Sequence, residues 1–371
     1  MSKKILILNC GSSSIKYALF VGEREMIREN VAIKKNYTLT LKKIISSLVK
    51  KNHLEHKQDL TAIGHRVVHG GNATKSTLIT STIIKEIKKY APFAPLHNPH
   101  NLKGILICKK LFPQTKQIAV FDTAFHTSVT KEKRIYAIPC LLTKKYGIKS
   151  YGFHGQSYQY ICSKLKELKK QRRIRAMNKV IVCHLGSGCS ICAIKHGKSV
   201  AVTSGMTTFS GMPMATRCGD IDIGIVPYLQ QQLKKPLKEV MRLLDHESGF
   251  YGISGIKDMK IIIEKRKHDK QAQLAIDVFC HHLKRWIAGY FGLLNGADGI
   301  VFTAGIGEHG ALIREKALQN MAYAGIMLDK KKNNKNKMII SAKKSKVQVL
   351  VIPTDEEKAM ADEVKMVLHL N

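Results

Sequence analysis

Two short turns rich in glycine and serine are built from residues that suit phosphate: Asn9-Cys10-Gly11-Ser12-Ser13-Ser14 and His184-Leu185-Gly186-Ser187-Gly188. Where side chains are small, backbone N–H groups can converge on phosphate oxygens, and serine hydroxyls add further donors. Lys16 follows the first turn and supplies a cation. Neither turn ends in Gly-Lys-Ser/Thr, so neither is a Walker A loop. A third cluster, Gly305-Ile306-Gly307-Glu308-His309-Gly310, lies between an apolar run ending at Thr303 and a helical pattern over Ala311–Ala324, with Asp329 further on. Its GxGxxG spacing meets the dinucleotide-binding fingerprint and keeps an NAD-dependent dehydrogenase open as a rival reading. That reading places the motif near the C-terminus without a βαβαβ unit after it, and it leaves the two earlier turns unexplained.

Charged side chains extend the set. Only twelve of 62 basic residues are arginine, so Arg66 in Gly64-His65-Arg66-Val67-Val68-His69-Gly70-Gly71 and Arg217 in Ala215-Thr216-Arg217-Cys218-Gly219-Asp220 stand out. A planar guanidinium matches carboxylate or phosphoryl oxygens in a way that an ammonium does not. Asp122 closes the apolar run Ile118–Phe121, at the strand edge where α/β proteins carry chemistry. Glu356 follows another apolar run and Pro353; Thr354 and Glu357 read as a capping box, which accounts for Glu357 and leaves Glu356 for a metal or substrate. His154, flanked by glycines in Tyr151-Gly152-Phe153-His154-Gly155, reads as an exposed donor. His97 and His100 form a weak metal pair, better explained by loop packing or substrate contact, and Cys189 and Cys192 point to opposite faces of a strand.

The elements that must hold these groups alternate between β-rich apolar runs and helical patterns, which argues α/β. Strands are predicted at Ile5–Leu8, Ala62–Val68, Gln117–Phe121, Lys179–His184, Gly299–Thr303 and Val347–Ile352, and helices at Ile83–Tyr90, Gln156–Lys170, Leu237–Asp245, Ala272–Leu294 and Ala311–Ala324. The lysine-rich segment Lys330–Lys337 reads as an exposed loop. Ile7–Ser14 aligns with Val182–Cys189, and Ala18-Leu19 with Ala193-Ile194, at a spacing of half the chain. Each copy is an apolar strand, a Gly/Ser turn and a second strand, so the chain reads as two homologous domains, each opening with a phosphate-gripping hairpin.

With 371 residues, 44% of them hydrophobic, the chain can bury a large core and is neither disordered nor collagen-like. No apolar stretch is long enough to span a membrane, and the short run at Ile5–Leu8 reads as a buried strand rather than a leader. Nine scattered cysteines point to a reducing cytoplasm. The net charge of +35 fits anionic partners but exceeds what a phosphate substrate needs. A nucleic-acid-binding role is the rival that it raises, but the basic clusters are dispersed and read better as solvated faces.

Taken together, these blocks resemble the acetate kinase family, of the acetate and sugar kinase/Hsc70/actin superfamily. The similarity runs from Asn9–Lys16 through Gly64–Gly71, Ala94-Pro95-Leu96-His97-Asn98-Pro99, Val120–His126, Tyr151–Gly155, His184–Gly188 and Thr303–Glu308 to Ile352–Glu357. The resemblance implies a duplicated actin-like (ribonuclease H-like) fold with a central cleft. One domain would comprise residues 1–127 with a returning helix at 358–371, the other residues 128–357. It implies reversible phosphoryl transfer from ATP to acetate, giving ADP and acetyl phosphate, with Mg²⁺ (or Mn²⁺) and a homodimer.

By the same resemblance, Asn9 and Glu356 bind Mg²⁺, Arg66 grips the acetate carboxylate, His154 and Arg217 stabilise the phosphoryl group, and Asp122 orients the reacting groups. Asn9, Ser12, Lys16 and His184, Leu185, Gly186, Ser187 and Gly188 would hold phosphates. Asp258, Met259 and Lys260 would flank the base, with Gly305, Ile306, Gly307, Glu308 and His309 as the nucleotide loop. Val68, Leu96 and Phe153 would line the acyl pocket, with His97 in support. The chain departs from the family at Ser187 and His309, where asparagine is usual, and at Lys260, where arginine is usual. Thr207-Thr208-Phe209-Ser210-Gly211 replaces Thr-Pro-Leu-Glu-Gly, and Thr208 in place of a pocket proline keeps propionate open beside acetate.

Overall fold

The computed structural model describes residues 3–34 and 36–370. The chain forms two compact units. One comprises Met1–Thr127, Phe153–Tyr160 and Asp355–Asn371, the other Ser128–Gly152 and Ile161–Thr354.

The first unit is built on a sheet of β1 (Lys4–Cys10), β2 (Ser14–Val21), β3 (Arg24–Ala32), β4 (Leu60–Val67), β5 (Thr77–Leu78) and β6 (Lys116–Phe121), in the order β3-β2-β1-β4-β6-β5. β1, β2 and β3 form antiparallel hairpins, whereas β1, β4 and β6 run parallel. Strand alternation splits β1 between two layers. Leu6, Leu8 and Cys10 pack with Leu41, Ile44 and Leu48 of the helix Tyr37–Lys50, while Ile5 and Ile7 meet Met360, Ala361 and Val364 of the helix Glu356–Val367. Each such aliphatic side chain contributes roughly 1.5–3 kcal/mol on burial. Gly64 on β4 allows the close fit, since a Cβ there would lie 2.7 Å from both Ile7 and Val364.

The second unit repeats this plan with β7 (Lys179–Leu185), β8 (Cys189–Lys195), β9 (Lys198–Val202), β10 (Gly299–Thr303) and β11 (Gln348–Val351), ordered β11-β10-β7-β8-β9. Again the first three strands are antiparallel neighbours, and β7, β10 and β11 run parallel. The long helix Lys270–Leu293, started by Asp269 accepting from the N–H groups of Gln271 and Ala272, buries Ile276, Phe279, Leu283 and Ile287 against Ile181, Cys183, Ile300 and Phe302. Two sheets of one topology, each α/β, are the duplicated actin-like arrangement expected from the repeat. Each sheet opens with an antiparallel three-stranded meander, unlike the mostly parallel doubly wound sheet of the dehydrogenase reading.

Four local expectations need correcting. The helix at Ala311 ends at Leu318, where the chain turns and Asn320 takes the left-handed φ of +60°; a separate 3-10 turn covers Ala322–Ala324. Lys330–Asn334 is a short helix rather than a loop, capped by Asp329 accepting from Lys332 N, with Asn333 fully buried. The cap of the C-terminal helix is Asp355, which accepts from Lys358 N, rather than Thr354; Glu357 pairs with Arg28. The GxGxxG segment is not a loop ahead of a helix, because a helix (Ala304–His309) begins directly after β10 and contains both of its first two glycines. Among the described residues, no helix is long and apolar enough to cross a membrane.

Candidate active site

Three candidate residues of the first unit lie at the carboxyl ends of three parallel strands. These ends present Asn9 on β1, Arg66 on β4 and Asp122 immediately after β6. Leu8 pairs with His65 and Val67 with Phe121, so the three positions lie along one sheet edge.

Arg66 donates to Asp122 through Nε (3.2 Å to Oδ1) and Nη2 (2.8 Å to Oδ2), and its Nη1 lies 3.3 Å from Glu356. The Asp122 side chain is 1% exposed. Its burial, with the Glu356 charge adding to it, raises the carboxyl above its ordinary range, against the pull of Arg66 and the His154 N–H. Burial opposes charge on Arg66 too, but Asp122 and Glu356 outweigh it and keep the guanidinium charged.

His154 is half-buried and holds a left-handed φ of +58°, a costly conformation for a side chain of this kind. The close packing continues at Gly155, where a Cβ would fall 2.0 Å from the Asp122 carbonyl. Val68, Ala94 and Phe153 form a small buried apolar cluster. Leu96 lies two residues beyond Ala94, partly buried, and His97 is the N-cap residue of the helix Asn98–Leu111. His100 stacks on Tyr37. The first Gly/Ser turn is closed by Gly11 N donating to the Ser14 carbonyl at 2.9 Å, with Ser12 and Lys16 exposed.

In the second unit, Gly186 N donates to the Gly188 carbonyl at 3.1 Å, making a hairpin one residue tighter than its counterpart. Leu185 is entirely buried and His184 nearly so. Thus Leu185 has only its backbone to offer a ligand.

A cavity of about 790 Å³ brings together Gly186 and Ser187 from this turn, Asp258, Met259 and Lys260 from the edge of the next helix, and Gly305, Ile306 and His309. Phe250, Ile263 and Gly310 add apolar and backbone wall, and Lys257 and Glu264 add charge. A mostly apolar space with a few polar groups is the usual make-up of a small-molecule pocket. Ala304, the first residue of the helix Ala304–His309, takes the left-handed φ of +62°. Glu308 instead directs Oε1 to Thr354 N at 3.2 Å.

Arg217 is tied to this wall, because Ala215 N donates to the Ser187 carbonyl at 3.3 Å. Its Nη1 donates to the Thr208 carbonyl at 3.1 Å and its Nε lies 3.3 Å from Asp245. Burial pulls its guanidinium down, against the Asp245 charge.

Ala94 stood in a block singled out in the sequence but was given no pocket role, and the Lys257, Ile263 and Glu264 walls were not legible, since nothing marked them apart from their neighbours. Arg314 was also missed, although the scarcity of arginine could have flagged it. Its side chain is fully buried and touches the carbonyls of Gly307 and Glu308. All nine cysteines are free. Among the described residues, no three His, Cys, Asp or Glu side chains are grouped so as to hold a metal by themselves.

Comparison with known proteins bears on this geometry. Residues 20–362 match the acetokinase family. The chain is 38% identical to the acetate kinase of Halothermothrix orenii, covering 99% of this chain and 100% of that protein. It is 40% identical to that of Treponema denticola, covering 96% and 98%. The Porphyromonas gingivalis acetate kinase structure superposes with a TM-score of 0.90 at 34% identity, over 99% and 100% of the two chains. A propionate kinase from Francisella tularensis gives a TM-score of 0.90 at 37% identity, over 97% and 98%.

Proposed function

The chain belongs to the acetokinase family, and on that premise we propose that it transfers the terminal phosphoryl group of ATP to acetate, reversibly, giving ADP and acetyl phosphate. One observation carries the reading beyond family membership. Residues expected to grip acetate (Arg66), line its pocket (Phe153), orient the reacting groups (Asp122), meet the phosphoryl group (His154) and bind the metal (Glu356) lie in one unit, while three distant segments expected to hold nucleotide line one cavity in the other.

A carboxylate oxygen attacks the γ-phosphorus as the bond to the bridging β–γ oxygen breaks, and ADP leaves with that oxygen. Acetate is already ionised near neutral pH, so no general base is needed. The protein's work is to position the groups and offset charge on the equatorial oxygens. Two of the five Arg66 N–H groups remain outside its contacts with Asp122 and Glu356, and these receive the acetate carboxylate. Val68, Ala94 and Phe153 enclose the methyl group. His154 and Arg217 donate to the phosphoryl oxygens. Ser12, Lys16 and the Gly186–Gly188 turn hold phosphates.

Arg66, Asp122 and Glu356 together carry one more negative than positive charge, and the acids are oxygen donors. A hard divalent cation fits that donor set, and Mg²⁺ takes few protein ligands when phosphate and water supply the rest. Glu356 and Asn9 would hold Mg²⁺, or Mn²⁺ in its place, with Asp122 orienting; the cation would neutralise phosphate charge.

Propionate is the second reading, favoured by Thr208 in place of the usual proline. One extra methylene is worth only about 0.8 kcal/mol. Nine free cysteines support residence in a reducing cytoplasm. A homodimer is supported by the helices Cys140–Tyr146 and Ile225–Leu233, which bury no residue although Leu141 is 81% exposed, Tyr228 61% and the adjoining Ile223 85%. The test is ADP release from Mg-ATP that depends on added acetate or propionate; release that ignores both acids overturns the reading.

A further inference from the structure

Arg314 is a fully buried guanidinium with no carboxylate among its hydrogen-bond partners. Its five N–H groups meet five neutral oxygens. Nη1 donates to the carbonyls of Gly307 (2.7 Å) and Glu308 (3.0 Å), Nε to Asn333 Oδ1 (2.8 Å), and Nη2 to the Asn333 carbonyl (2.9 Å) and Asn336 Oδ1 (2.6 Å). Asn333 also donates its own Nδ2 to the Ala311 carbonyl at 2.9 Å.

The first two acceptors belong to the helix Ala304–His309, whose Gly305, Ile306 and His309 face the nucleotide cavity. That helix is too short to satisfy its last carbonyls internally, and the guanidinium caps them from the favourable end of the helix dipole. The remaining acceptors come from the lysine-rich segment, whose composition alone suggested only solvated surface. A buried charge is costly to desolvate, and burial pushes this guanidinium down to about 10. An apolar side chain would fill the same space without that cost, but it could not hold five oxygens at once.

We propose that Arg314, Asn333 and Asn336 form the positioning unit of the short helix Ala304–His309 at the nucleotide cavity, so that residues outside the cavity set nucleotide affinity and leave carboxylate affinity alone. This rests on the cavity being the nucleotide site. Asn336 holds a left-handed φ of +47°, so Asn336→Gly removes its amide without adding backbone strain. Asn333→Ala removes the more buried partner. Arg314→Lys keeps a charge but offers three donors in place of a five-donor fork.

The experiment is calorimetric titration of ADP with Mg²⁺ into the full-length protein and these variants, together with KM for ATP and for acetate and the thermal midpoint of each. The expected result is ADP binding weakened about threefold in Asn336→Gly and about tenfold or more in Asn333→Ala and Arg314→Lys. KM for ATP should rise in parallel while KM for acetate stays within about twofold.

Wild-type ADP affinity in folded Asn336→Gly and Asn333→Ala would overturn the proposal. So would a fall in thermal midpoint with ADP affinity unchanged, or an equal rise in both KM values. If Arg314→Lys or Asn333→Ala fails to fold, Asn336→Gly still decides. A wild type that binds ADP but makes no acyl phosphate would sink the proposed reaction, while the ADP affinities would still judge the positioning unit.

Discussion

Arg66 and Asp122 are locked edge to edge, with Nη2 at 2.8 Å from Oδ2 and Nε at 3.2 Å from Oδ1, on a carboxylate that is 1% exposed. The arginine expected to grip the substrate is therefore half committed to the protein before any substrate arrives. That commitment fixes the plane of the guanidinium and spends rotamer freedom during folding rather than during binding. Breaking such a pair from one side leaves a buried charge uncompensated, which costs roughly 3–5 kcal/mol. Stability and the orientation of the Arg66 guanidinium are thus coupled at this point of the first unit.

Gly155 sets the distance between the His154 turn and Asp122. Gly155→Ala would place a Cβ 2.0 Å from the Asp122 carbonyl and 2.9 Å from Phe125 Cβ, forcing the turn and the strand end apart. The expected outcome is a loss of roughly 1–3 kcal/mol in stability and a fall in kcat of about tenfold or more. Denaturant melts and initial rates check both.

Acid should weaken the first unit through His65, beside Arg66 on β4. This fully buried imidazole shares a 3.0 Å hydrogen bond with Gln117, and burial pulls its pKa from 6.5 down to about 4. The unfolded chain therefore takes up the proton first as pH falls. Stability present above about pH 6.5 drains away towards about pH 4, by roughly 3 kcal/mol in all. His65→Gln, which does not titrate in this range, should show a flatter dependence of denaturation midpoint on pH between 7 and 4.5. Equal slopes for the two proteins would remove His65 as the cause.

Gly305 lines the cavity proposed to take the nucleotide, and a Cβ there meets nothing within 4 Å. Gly305→Leu should leave the thermal midpoint within a few degrees while filling space that the nucleotide needs, and so weaken ADP binding by about tenfold or more. Calorimetry on the folded variant reads this directly.

Ile223, 85% exposed beside an apolar helix that buries nothing, should be covered by a second copy. Light scattering is expected to give twice 41.6 kDa for the wild type and the single mass for Ile223→Asp. A wild type of single mass would contradict the dimer.

Much of this was legible in the sequence because backbone demands leave marks there. The six buried parallel strands read as apolar runs, and the hairpins betrayed themselves through paired Gly/Ser turns, which even exposed the duplication. β3 was hidden because it is an edge strand, Arg24–Ala32, whose charged residues break the apolar pattern. The helix at Lys330–Asn334 was hidden because its burial rests on one asparagine amide serving an arginine nineteen residues upstream. The cap at Asp355 was misassigned because Thr354 and Asp355 both suit an N-cap, and only the Lys358 N–H, which Asp355 Oδ1 accepts at 2.9 Å, decides between them. Spacing locates groups held by local backbone; it does not show which polar partners the tertiary fold will supply.

The most direct test is hydroxylamine trapping of acyl phosphate from Mg-ATP with acetate, propionate or no acid, using the wild type and Arg66→Ala side by side. The account predicts hydroxamate from the wild type with acetate, and a rate about a thousandfold lower or more in Arg66→Ala, while ADP binding to the mutant persists. No hydroxamate from folded, Mg²⁺-replete wild type with either acid would contradict it, as would undiminished turnover without Arg66.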